Sequence, residues 1–222
     1  MASSSAVASM GGNIDLATAN TVNGLRKLAA SDPVRAQEDA WALFKQLGKS
    51  RDEAALNSMF GMGTSPRGLH GPTDGILVAT FTLGILNFLA RIITAVWMPW
   101  LGKQFDRNTM TGTNRMSPGL FTRIVLKIIF PLYSLRRSAD GTVTAFEFEN
   151  ANEPGRYAPV VEVFKIDYAP VKSNPWLVIS KIRDELVEIT PDTYLGRILW
   201  HHGGERYSNL GFFALRQPAG KR

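Results

Sequence analysis

Three different hydrophobic periods run along this 222-residue chain. In the first stretch apolar residues recur at helical spacing. Residues 14–30 predict a helix with Asn13 as its N-cap. Asp32 then caps a second helix, Pro33 takes its first position, and Gly48 ends it. Val34, Trp41, Phe44 and Leu47 form its apolar stripe. Ser50-Arg-Asp-Glu53 has the form of a capping box. It opens a short third helix that carries Leu56, Met59 and Phe60 and closes at Gly61. A Gly- and Pro-rich connector, Gly61 to Pro72, follows.

The second stretch is denser in apolar residues. Gly75 to Phe81 reads as a strand, and residues 82–97 as a helix whose polar positions Gly84, Asn87, Arg91 and Thr94 fall on one narrow stripe. Residues 118–130 repeat this design. Pro118 starts a helix, Arg123 and Lys127 form a cationic stripe, Leu120, Ile124, Leu126 and Ile128 are among the apolar residues around it, and Pro131 ends it. A membrane span needs about 20 apolar residues. The first segment offers only Ile76 to Ala90 before Arg91, and the second is shorter and carries two cations. Both therefore predict either helices packed against a sheet with their stripes in water, or helices lying in a membrane interface.

The third stretch alternates with a period of two. Strands are expected at 142–150, 159–168, 180–190, 193–201 and 206–216, each bounded by turn residues such as Asp140-Gly141, Pro191-Asp192 and Gly203-Gly204. With 75–81 and an extended segment at 103–116, this makes about seven strands, which as a meander close into an antiparallel β-barrel that removes its own edges. The expected organisation is a disordered leader over 1–12, a helical segment over 13–65, a barrel domain over 66–216 and a tail over 217–222. The class is mainly β, with N-terminal helices and two inserted apolar helices.

Several runs carry a resemblance. They are Leu69-His-Gly-Pro-Thr-Asp-Gly75, Pro99-Trp-Leu-Gly-Lys-Gln-Phe-Asp106, Lys165-Ile-Asp-Tyr168 with Asn174-Pro175, Arg183-Asp-Glu-Leu186, Tyr194-Leu-Gly-Arg197 and Leu210-Gly-Phe-Phe-Ala-Leu215. Together, over residues 66–216, they resemble an uncharacterised bacterial family of lipocalin-like proteins. The chain is also distantly similar to the lipocalin-like family named after a Gly-x-Trp-x-Gly motif, of which Trp100-x-Gly102 is kept and Met98 replaces the first Gly. The resemblance implies a small β-barrel with an internal apolar cavity and implies no reaction.

Composition removes several chemistries. The chain has no Cys, so a disulfide scaffold, a thiol nucleophile and thiolate metal sites are excluded. Its histidines are His70, His201 and His202, and their spacing argues for no metal site. No nucleotide-binding loop, nucleophile elbow or zinc-hydrolase motif is present, and no cofactor is expected. The net charge of +6 lies in one place: residues 101–138 hold seven cations against Asp106 alone. Such a segment suits an anionic partner. Its cations sit among apolar residues, which suits a lipid or an anionic membrane surface better than nucleic acid. The leader lacks a secretory signal, and a cytoplasmic location is expected, with association to a membrane surface as the alternative.

Candidate site residues follow from alternation. Asp184 shares a strand face with Ile182 and Leu186 and so faces the barrel interior, paired with an Arg such as Arg197 or Arg115 or acting as a general acid or base. Trp100 and Lys103 follow the first apolar helix, where Trp100 could stack on a planar ligand and Lys103 could hold an anionic head. The expected function is binding of a hydrophobic small molecule through Trp100, Lys103, Arg115, Asp184, Tyr194 and Arg197. The alternatives are a cofactor-independent isomerase, cyclase or hydrolase with Asp184 or His70 as base, and a peripheral membrane protein that binds lipid.

Overall fold

A computed structural model describes residues 15–81, 99–137, 141–158 and 160–217. The expected leader and the helix expected over 82–97 lie outside them. Three helices come first: α1 (Leu16–Ser31), α2 (Pro33–Ser50) and α3 (Glu53–Gly61). Their caps are carboxylates. Asp15 accepts from the amides of Ala17 and Thr18, Asp32 from Arg35, and Asp52 from Ala55. Asp52, not Ser50, thus caps α3, because α2 runs on to Ser50 and turns through Arg51 in the left-handed region (φ 52°).

The remaining chain forms ten strands: β1 (Gly71–Pro72), β2 (Asp74–Thr80), β3 (Trp100–Asp106), β4 (Thr111–Met116), β5 (Arg136–Arg137), β6 (Val143–Pro154), β7 (Glu162–Asp167), β8 (Ile182–Thr190), β9 (Thr193–Gly203) and β10 (Arg206–Arg216). Helix α4 (Leu120–Ile129) lies between β4 and β5. The strands make one antiparallel sheet in the order β1-β3-β4-β6-β7-β8-β9-β10-β2, with β5 added beside β6. This is the expected meander, nearly closed into a barrel. The strand count rises above seven because 103–116 is a hairpin that turns through Met110 (φ 52°), and because β1 and β5 are two-residue strands too short to show a period.

The ring closes where β2 returns to β3. No long ladder joins them; Thr73 does. It is fully buried, its amide and its hydroxyl both donate to the Lys103 carbonyl (2.8 and 2.9 Å), and its hydroxyl accepts from the Lys103 amide (3.1 Å). The backbones approach closely here. A Cβ on Gly102 would lie 2.0 Å from the Thr73 carbonyl oxygen, and Gly102 has φ 139°.

The sheet buries both faces. Outside it, α1–α3 cover β2 and β8–β10 through Val22, Trp41, Phe44, Leu56, Phe60, Val187, Leu195 and Phe212. Burying each such side chain stabilises by about 1.5–3 kcal/mol. Arg26 ties α1 down by donating to the carbonyls of Ile189 and Met62. Inside, Phe105, Phe148, Phe164, Phe213, Ile166, Leu186 and Ile198 belong to one core cluster.

The two ends of the barrel differ. At one end, turns 107–110, 155–161 and 191–192 join the strands directly. At the other, β2, β4 and β7 lead into the long connections to β3, β5 and β8, and the short β9–β10 turn (204–205) lies there too. Leu126 and Phe130 of the α4 region pack into the barrel core from this second end.

Candidate functional site

Four residues from four parts of the chain converge inside the barrel. Lys103 on β3 and Asn114 on β4 are direct cross-strand partners. Asp184 is near the start of β8, and Tyr168 lies just past the end of β7. The Lys103 ammonium donates to Asn114 Oδ1 (3.0 Å) and Asp184 Oδ2 (3.0 Å), and shares a 2.5 Å hydrogen bond with the Tyr168 hydroxyl. Tyr168 in turn donates to Asp184 Oδ2 (3.0 Å), and the Trp100 indole donates to Asn114 Oδ1 (3.1 Å). Lys103 and Asp184 are each 1% exposed, so this is a fully buried ion pair.

The surroundings are aromatic. The rings of Trp100, Phe148, Tyr168 and Phe213 all have centroids within 6 Å of the Lys103 nitrogen, at 5.8, 5.1, 5.2 and 5.3 Å. Such a cage offsets part of the desolvation of the ammonium through the negative ring faces. Burial still pushes the Lys103 ammonium below its ordinary value, against the raising effect of the Asp184 charge. Burial, reinforced by that same charge, pushes the Tyr168 phenol well above its ordinary value. One acceptor is left over: Asp184 Oδ1 is buried and has no hydrogen-bond partner among the described residues.

The Tyr168 shift sets a sign for stability at high pH. Between the ordinary tyrosine value and the raised native one, the unfolded chain loses the phenolic proton and the native state keeps it. The native state is therefore penalised, and its stability falls as pH rises through that window. Alkaline difference absorbance should show one tyrosine that ionises only on unfolding, and Tyr168→Phe should remove that phase. A Tyr168→Phe titration identical to wild type would contradict the buried phenol.

A bulged residue links this network to α4. Phe146 on β6 has φ 54°, a region a bulky residue occupies at a cost of about 1–3 kcal/mol. Its carbonyl accepts from Asn114 Nδ2 (3.1 Å), while its ring packs on Phe130 (5.3 Å) and stacks on Tyr133 (4.9 Å). The network thus sits at the end of the barrel that carries the long connections.

The other expected site residues lie elsewhere. Asp184 does face inward with Ile182 and Leu186, but its partner is Lys103 and neither Arg197 nor Arg115. Arg197 is the cross-strand partner of Glu185, on the opposite face. There its Nη2 donates to Asn57 Oδ1 (2.7 Å) and its guanidinium covers the rings of Phe60 and Tyr157. Burial pushes it down to about 10, so it remains charged at neutral pH. Glu185 accepts from Arg183 and from the Arg156 amide, and the whole group clamps α3 and the 155–161 turn onto the sheet. Arg115 donates to the Thr73 carbonyl (3.0 Å) and supports the seam. Tyr194 is buried near the opposite end, with its hydroxyl on Gln217.

His70 is exposed. It accepts from the Arg107 amide (3.2 Å) and lines an open cleft of about 600 Å³ on the outside of the barrel, among Gln104, Asp106, Glu147 and Glu149. It shares no site with Asp184. His201 and His202 are tied to Gly204 and Ser208 in the β9–β10 turn. Among the described residues no cluster of three or more His, Asp or Glu is placed to hold a metal ion. Asn114 carries no motif and Tyr168 closes the Lys165-Ile-Asp-Tyr168 run; sequence marks neither as a candidate site residue. The only trace of them is a polar residue at an inward position of a strand, once the register is known.

Comparisons with known proteins add little to this. No family model matches the chain, and no curated protein matches it. A crystal structure of a protein from Thermomonospora curvata is similar over 82% of this chain and 98% of its own, at 14% identity and a TM-score of 0.43.

Proposed function

We propose that the barrel binds a small apolar molecule whose polar end donates a hydrogen bond to Asp184. The observation that carries this reading is the unsatisfied Oδ1 of Asp184, held at the centre of an aromatic interior. A buried acceptor without a partner costs about 1–3 kcal/mol. A ligand hydroxyl or amine placed there removes that cost, and the surrounding rings receive its apolar body. An anionic head fits less well, because Lys103 is already neutralised by Asp184 at 3.0 Å. The resemblance of the sequence to lipocalin-like proteins supports the same reading. The entrance would lie beside α4, where Phe130 and Phe146 separate the network from the long connections.

The test is a titration with a long-chain primary alcohol and with its methyl ether, followed by tryptophan emission. The alcohol can donate and the ether cannot. A hydrogen bond to a charged acceptor is worth about 1.5–3 kcal/mol, so the alcohol should bind at least about tenfold more tightly. Equal affinities, or no binding of either, would remove Asp184 from the ligand's polar contacts.

A further inference from the structure

We infer that the end of the barrel bearing α4 docks on an anionic membrane surface. This inference stands apart from what the barrel holds. Helix α4 turns Thr122 and Leu126 inward, and both are buried. The opposite side is in solvent, and it is apolar where a solvated helix is polar. Leu120, Ile124 and Ile128 recur every four residues along it and are 72%, 49% and 75% exposed. Arg123 and Lys127, both exposed, run alongside them on the same outward side. Leu132, just past the helix, is almost wholly exposed.

A second connection brings more of the same chemistry to this end. Trp176 and Leu177, in the 168–181 connection, are 71% and 63% exposed, and Lys172 beside them is exposed too. The two connections meet: Leu132, Tyr133 and Ser173 line one cleft of about 290 Å³, together with the Arg136–Glu147 pair. Large apolar side chains left in water at several neighbouring positions mark an interaction surface.

Charge decides what covers it. Residues 117–137 and 168–181 contain no Asp or Glu, while they hold Arg123, Lys127, Arg136, Arg137, Lys172 and Lys181. The turns at the other end carry Arg107 and Arg156, but also Asp106, Glu162 and Asp192 in or beside them. This end of the molecule is therefore both greasy and rich in cations; its acidic residues include Glu147, which pairs with Arg136, and Glu205, which pairs with Arg156, with Asp140 in the sequence between β5 and β6. A helix with cations beside a broad apolar face, next to an exposed Trp, matches a bilayer interface: the Leu, Ile and Trp side chains enter the acyl boundary and the cations stay at headgroup level. No helix among the described residues is long and apolar enough to cross a membrane, so the contact is interfacial as far as these helices go.

The experiment is sedimentation of the full chain with vesicles of phosphatidylcholine alone and with added phosphatidylserine, at low and high salt. The protein should pellet with the anionic vesicles at low salt and be released as salt rises. Each cation near the surface contributes about a fivefold gain in partitioning. Arg123→Glu with Lys127→Glu should therefore lower binding by about thirtyfold or more. Ile124→Asp with Ile128→Asp should abolish it at unchanged charge on the basic residues. All four positions are exposed, so near-ultraviolet dichroism should match wild type. A lipid quencher in the acyl chains should dim Trp176, as judged by difference from Trp176→Phe. Protein that stays in the supernatant with anionic vesicles at low salt overturns the inference. So does equal pelleting with neutral vesicles, or a dimer in solution that Ile124→Asp with Ile128→Asp dissolves without any vesicle binding in the wild type.

Discussion

Asp184→Ala should destabilise the barrel by about 3–5 kcal/mol, because it strands a buried ammonium. Lys103 would keep Asn114 and Tyr168 as neutral partners but lose the one carboxylate that pairs with it among the described residues. The variant's stability should also depend on pH in a defined direction. Burial already lowers the Lys103 ammonium, and loss of Asp184 removes the effect that opposes this. Between the lowered native value and the ordinary lysine value, the unfolded chain holds a proton that the native state has released, so stability rises with pH through that window. Urea midpoints at neutral and alkaline pH read both effects. Replacing both charges, Lys103→Met with Asp184→Leu, should recover most of the loss, since a matched apolar pair leaves nothing unpaired. A loss for Asp184→Ala below about 0.5 kcal/mol would place Asp184 in solvent.

Gly102→Ala should be nearly as damaging, at about 3 kcal/mol or more, for a different reason. The new Cβ would lie 2.0 Å from the Thr73 carbonyl oxygen, which is backbone and cannot rotate away, and φ 139° is itself costly for a side chain. Thr73 and Lys103 would be forced apart at the one place where the ring closes. Gly141→Ala separates the two causes. Gly141 has φ 82° with nothing within 4 Å, so it should show only the conformational cost of about 1–2 kcal/mol. Equal losses at the two positions would mean that the seam is not tightly packed. Hydrogen exchange should locate the damage, with the amides of Thr73 and Lys103 losing protection in Gly102→Ala and keeping it in Gly141→Ala.

The bulges explain what the sequence concealed. Alternation puts Asp184 inside because β8 is regular around it. The same rule fails on β3: positions 100 and 103 differ by an odd number, so a regular strand would point Trp100 and Lys103 to opposite faces. The register shifts between Trp100 and Gly102, Leu101 turns out, and both side chains enter the barrel. Gly102 with its positive φ was the available sign of this. The partner of Asp184 was hidden for a topological reason, because β3 and β8 are far apart in sequence and meet only across the closed ring. Arg197 was misplaced by register. The β8–β9 hairpin aligns Glu185 with Arg197 and Asp184 with Ile198, and a one-residue slip would have exchanged the faces. In α4 the cationic stripe was legible, yet Leu120, Ile124 and Ile128 beside it lie in solvent, because the helix spans a connection at the barrel's end and meets the core through Thr122, Leu126 and Ile129 among its described side chains. The caps of α1–α3 and the turn residues between strands were local, and so local sequence placed those elements within a few residues.

The most direct test of the account uses the charge-free interior. Lys103→Met with Asp184→Leu should fold, keep the aromatic lining, and lose the acceptor on which the proposed ligand contact depends. The quantity to measure is the ratio of affinities for a long-chain alcohol and its methyl ether in this variant and in wild type. We predict a ratio of about ten or more in wild type that collapses to about one in the variant, with the ether bound as well as before. A ratio that survives the loss of Asp184 would contradict the account, because the ligand's polar end would then be held elsewhere.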